Sequence, residues 1–282
     1  MLRCVRTLTV GAFTAPRSPN LPAMSPAFDL GPNREIDAYR RRIRVTAVEP
    51  GVVVSALEDD FHHFVVTVRH DGAHVISCEA ESLRWPWSTC PDAAGPLRAL
   101  AGMPLSERFT AAAKWTDPKQ NCTHQYDTAC HAITHAAAGR ETRQYDVEIP
   151  LRDPATGATG VRLWVDGALS LSWTLRWDGI VDAAAPFDAA PWRGGFMRWA
   201  DATLPADDAE RAIVLRRACD IGMGRGMDLD GVPVASKLPG QMIGICHTMQ
   251  PGVVEVALRH VGSIRDFAAR PEAMLADEMP RR

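Results

Sequence analysis

The sequence predicts an α+β protein, with an antiparallel meander sheet packed by helices, followed by a smaller β-rich domain with one long helix. Three observations carry this. Residues 42–78 hold four β-branched or alternating runs broken by turn dipeptides. Residues 90–139 change to helical periodicity, and residues 145–181 return to short strand-like runs before one well-marked helix at 205–221. The expected organisation is an extension over 1–33, an α+β domain over 34–142, a Trp-rich domain over 143–265 and a frayed tail over 266–282.

Residues 1–28 carry three Arg, four Pro and no acidic residue. This composition suggests an organelle transit peptide or a disordered extension upstream of a start at Met24, and a disordered extension is the expectation. Strands follow at 42–49 and 52–57, separated by Pro50-Gly51, and at 64–70 and 74–78, flanking Asp71-Gly72, a dipeptide that tolerates the positive φ of a tight hairpin. In an alternating strand Arg40, Arg42 and Arg44 share one face, which reads as a solvated face rather than a nucleic-acid patch.

Pro91 fits the first position of a helix, which puts Cys90 at its N-cap; this helix is expected to reach about residue 101, with another over 106–114. A third helix opens at Cys122 and places His124, Asp127, His131 and His135 on one face. Helix N-termini favour thiolate over thiol, so Cys90 and Cys122 become candidate metal ligands, and Cys122 a candidate nucleophile. The competing reading of both is a small buried hydrophobe. Between the second and third strands, LEDDFHHF (57–64) adds acids and histidines, and alternation allows only one of His62 and His63 to face inward.

Past residue 143 come strands at 145–149, 161–165, 169–176 and 179–181, with five of the eight Trp, read as core or as the lining of an aromatic pocket. The helix at 205–221 has acids early and Arg216 and Arg217 late, matching its dipole, and GMGRG (222–226) ends it. That glycine cluster follows a helix, so it is no dinucleotide fingerprint. Cys246-His247 is a further pair of soft ligands in a loop.

With 31 basic and 34 acidic residues the net charge is −3, which gives no electrostatic case for nucleic acid, and no apolar run approaches a membrane span. Seven cysteines, an odd number in a chain long enough to bury a core, favour reduced thiols in a cytoplasm.

The signatures LEDDFHHF, HDGAHV, PWSTCPDA, LRALAGMPL, CTHQYDTACHA and LRRACDIGMGR resemble a bacterial family catalogued as a domain of unknown function, over most of the chain from about Arg34. In layout, residues 42–138 also resemble iron–sulfur-cluster scaffold proteins of the IscU/NifU type. That resemblance matches Cys90 to the middle cysteine, Cys122 to the last and Asp60 to the loop acid. The chain departs from it at Glu58, where the scaffolds have a cysteine, and at His124, which follows Cys122 instead of preceding it. It implies a metal pocket more than cluster assembly.

The expected ligands are therefore Asp60, His62, Cys90, Cys122 and His124, with zinc or iron as the occupant suited to mixed O/N/S donors. Asp60, His62, Cys122 and His124 are the expected catalytic groups, and His63 and Asp127 orient them. The first functional expectation is a metal-dependent hydrolase or lyase acting on a small apolar, aromatic or acyl substrate. A metal or iron–sulfur carrier is the alternative, and a metal-free Cys–His thiol enzyme is the third.

Overall fold

The computed structural model describes residues 38–238 and 242–276, so the extension expected over 1–33 and the end of the tail lie outside the described residues. Strands β1 (Ala38–Glu49), β2 (Val52–Asp59), β3 (His63–His70), β4 (Val75–Arg84), β5 (Thr142–Pro150), β6 (Thr159–Val165), β7 (Ala168–Arg176) and β8 (Gly179–Asp182) form one sheet in the order β4-β3-β2-β1-β5-β6-β7-β8. Every pairing is antiparallel. Gly51, at φ +76°, makes the β1–β2 turn, and a Cβ there would lie 2.6 Å from the His70 carbonyl oxygen.

Alternation decides which side chains meet the helices. Tyr39, Arg41, Ile43 and Val45 of β1 are buried on one face, in register with Leu57 and Asp59 of β2 and with Tyr145, Val147 and Ile149 of β5. On that face lie α1 (Thr123–Ala137), over β1 to β4, and α3 (Ala206–Gly222), over β5 to β7. A short helix, α2 (Phe196–Thr203), packs on α3. Leu57, Leu163, Leu175 and Ile133 are among the fully buried side chains, each contributing about 1.5–3 kcal/mol of transfer free energy. No helix among the described residues is long and apolar enough to cross a membrane.

Arg40, Arg42 and Arg44 do share the opposite face, paired with Glu148, Asp146 and Gln144 of β5. The two segments expected on either side of residue 142 share the sheet: β5 starts at Thr142 and pairs with β1 along its length, and one hydrophobic core runs under both. A strand with an inward apolar face completes its hydrogen bonds on whichever edge is open, and here that edge is β1.

The helices expected at 90–101 and 106–114 are 3₁₀ segments, Pro91–Leu100 and Phe109–Lys114. Pro96 inside the first removes a backbone donor and works against a regular α-helix. Helix α2 is absent from the expectation because its aromatic residues read as strand or core. Trp173 is 1% exposed against Phe187, Trp192 and Phe196, which places it in the core. The tail expected to fray from 266 is instead docked as far as residue 276: Phe267, Met274 and Leu275 are buried, and Arg42 and Arg44 donate to the Met274 and Leu275 carbonyls.

Candidate metal centre

Strand β2 ends at Asp59 and β3 begins at His63, leaving a tight reversal that carries Asp60, Phe61 and His62. The Asp59 backbone N–H donates to the His62 carbonyl at 2.9 Å, and Asp59 Oδ1 accepts from the Phe61 and His62 backbone N–H groups, both at 2.8 Å. This is the local turn chemistry that aspartate supplies. Asp59 shares the helix-facing side with Leu57 and Arg41, so its carboxylate points under α1, where it is fully buried.

There Asp59 Oδ2 accepts from Tyr39 Oη at 2.7 Å and from Arg41 Nη2 at 2.8 Å and Nε at 3.2 Å. His62 Nδ1 lies 3.0 Å from Oδ1. The first turn of α1 brings His124 over the same point, its ring stacked on His62 with centroids 3.6 Å apart and its Nε2 3.8 Å from Asp59 Oδ2. That Nε2 is buried and has no hydrogen-bond partner. Asp59, His62 and His124 each offer a ligand atom, all within 4.8 Å of one another, and among the described residues this is the group so arranged.

The electrostatics set the donors in their electron-pair-bearing forms. Burial opposes ionisation of Asp59, but His62 and Arg41 overcome it and hold the carboxyl well below the usual range. Burial pushes the His62 imidazole down despite Asp59, and burial, His62 and Arg41 push His124 well down. A carboxylate and two neutral imidazoles are what a divalent transition metal takes from protein.

Of the expected ligands, the structure brings together His62 and His124. Asp60 lies apart: its carboxylate faces Arg225 Nε at 3.5 Å and accepts from the Phe267 N–H at 3.3 Å, and burial lifts it to about 7 against the pull of Arg225. Cys90 and Cys122 share a second hydrophobic cluster with Trp87, Phe64 and Met249, and Cys246 packs against it. Phe64 links the two places, its ring 5.7 Å from His62 and 6.2 Å from His124. Burial raises the Cys90 thiol to about 12, and burial with Cys90 and Cys246 nearby raises Cys122 well above the ordinary value. Burial works against the expected thiolates at the helix starts, desolvation opposing a dipole effect of order 0.3–1 kcal/mol. All six cysteines among the described residues are free.

Sequence reasoning missed Asp59 and Arg41, although alternation marks both. With Leu57 inward, Asp59 is inward too; with Arg40, Arg42 and Arg44 outward, Arg41 is buried. Asp127 pairs with Arg217 at 3.2 Å. His63 lies 3.6 Å from Glu58, away from the stacked pair.

Further along α1, His131 Nδ1 meets Glu210 of α3 at 2.7 Å, and Thr134 and Arg140 donate to the same carboxylate. Burial would raise Glu210, but His131 and Arg140 hold it below the usual carboxylate range. A depressed carboxylate contributes stability above its unfolded pKa and loses it as pH falls through the folded value. Glu210→Gln is therefore expected to cost about 3 kcal/mol at neutral pH, and the cost should shrink below about pH 4; urea melts across pH would show it.

Residues 33–138 match a family described as "Protein of unknown function (DUF2889)". The match ends just past α1, so it covers part of the chain and not most of it, and it contains Asp59, His62 and His124. A comparison with curated proteins finds no match to the chain. The scaffold likeness of residues 42–138 rests on layout alone, and β1 to β4 continue into four further strands that the likeness does not include.

Proposed function

We propose that the protein is a metal-dependent enzyme of hydrolase or lyase type, with zinc or iron held by Asp59, His62 and His124. The observation that carries this reading is the buried, partnerless His124 Nε2 beside Asp59 and His62, three ligand atoms within 4.8 Å. Catalytic sites keep three N/O ligands and an open position, whereas closed structural sites use four, usually with thiolates. When bound, the ion would polarise a substrate carbonyl or activate a water. Tyr39 and Arg41 fix the carboxylate, which reduces the reorganisation needed for coordination. A small apolar, aromatic or acyl substrate and a cytoplasmic setting with reduced thiols complete the proposal.

Turnover of small aryl esters or acyl thioesters should disappear after dialysis against a chelator, return with zinc(II) or iron(II), and be absent in His124→Ala. Turnover that survives both the chelator and the substitution would rule the reading out.

One observation favours a second reading. Six contacts at or below 3.2 Å already occupy Asp59, and Arg41 balances its charge, so an ion would have to bind a carboxylate that is already satisfied. Without metal, Asp59 would instead orient His62 as a general base. Burial raises the Cys122 thiol, which disfavours the thiolate that a nucleophile in that scheme would need.

A further inference from the structure

The turn that carries Asp59 and His62 is buried, and several of its polar groups are engaged by distant parts of the chain. Arg84, the last residue of β4, donates through Nη2 to the Asp59 carbonyl at 2.6 Å, the His62 carbonyl at 3.1 Å and Glu58 Oε1 at 3.1 Å. Its Nη1 reaches the Asp60 carbonyl at 3.1 Å and the Ser263 carbonyl at 3.2 Å. From Ser263 onward the chain runs along the turn. The Arg265 N–H donates to the Asp60 carbonyl at 2.8 Å, and the Phe267 N–H to Asp60 Oδ1 at 3.3 Å.

Arg225 closes the arrangement from the short 3₁₀ turn, Met223–Gly226, that follows α3. It donates to the Arg265 carbonyl at 2.7 Å, pairs with Asp266 at 2.8 Å and faces Asp60 at 3.5 Å. Farther on, the Leu275 N–H donates to Glu58 Oε2 at 2.7 Å. Arg84, Arg225 and Asp60 are all buried, so the Arg84 contacts and the approach of Arg225 to Asp60 are shielded from water and from salt, while Asp266 is half-exposed.

We infer that the segment 263–275 is a clamp that sets the geometry of the Asp59–His62 turn, with Arg84 and Arg225 as its positioning residues. The inference rests on the reading of Asp59, His62 and His124 as a metal centre. Its consequence is that the affinity of a site lying wholly within residues 33–138 depends on chain outside them. Groups that hold ligands in place typically change metal affinity by about 10–100-fold when removed, without contacting the ion.

The test uses the full chain. Arg225→Gln, Arg225→Lys and Arg84→Lys are compared with the parent protein by hydrogen exchange of the amides at 58–63 and by competitive zinc(II) titration. Arg225→Gln and Arg84→Lys are expected to speed exchange in the turn and weaken zinc about tenfold or more, with exchange around His131 and Glu210 unchanged. Arg225→Lys keeps a charge facing Asp60 and Asp266 and should recover part of the affinity. Unchanged exchange at 58–63 in both Arg225→Gln and Arg84→Lys overturns the clamp, as does faster exchange with unchanged zinc affinity. A parent protein that binds no zinc while exchange at 58–63 still responds overturns the metal reading, and the affinity consequence with it; the clamp itself then stands on the exchange result.

Discussion

Asp59→Asn is expected to destabilise the protein by about 3–5 kcal/mol, the usual range for removing one partner of a buried charge pair. The cause is local. Arg41 is 2% exposed and its guanidinium has Asp59 as counter-ion, while an amide brings two donors into a place where Tyr39, Arg41, His62 and two backbone N–H groups already donate. The asparagine NH₂ would face donors on at least one side, leaving buried groups unsatisfied. Denaturant unfolding of the variant at neutral pH reads the effect. A loss below about 1 kcal/mol would mean that the cluster under α1 is not the organising polar centre of the fold.

His124→Ala is expected to weaken zinc(II) binding by more than about 100-fold, because a ligand lost outright costs more than a group that merely supports one. Cys90→Ala and Cys122→Ala should leave zinc affinity unchanged and lose only packing, about 1–2 kcal/mol each, since both thiols sit in an apolar cluster with Trp87 and Met249. Parallel titration of the three variants separates an Asp/His/His centre from one that includes the cysteines. Loss of zinc in the cysteine variants with retention in His124→Ala would reverse the assignment.

Much of this was legible in the chain, and the parts that were not share a cause. Eight strands announce themselves through period-2 alternation and through turn dipeptides such as Pro50-Gly51 and Asp71-Gly72, the latter now with Gly72 at φ +93°. The convergence of His62 and His124 follows from a β2–β3 turn lying against the first turn of α1. The pairing of β5 with β1 is not local: nothing in residues 142–150 says which earlier strand they join, and the sheet runs across the expected boundary.

The cysteines have a similar cause. Helix position argues for thiolates, but Cys90 and Cys122 lie in a buried cluster with Leu238, Met249, Val254 and Ala257, more than a hundred residues away, and burial opposes ionisation. Asp59 is the instructive case, because the information was present. Alternation from Leu57 places it inward, whereas the scaffold resemblance matches its loop acid to the neighbouring Asp60.

The proposed centre of Asp59, His62 and His124 holds one divalent metal. The most direct measurement is elemental analysis of the full chain and of a His62→Ala/His124→Ala double variant, each loaded with excess zinc(II) and desalted. One equivalent of zinc in the parent protein and none in the double variant is the predicted result; no zinc in the parent, or an equal amount in both, would contradict it.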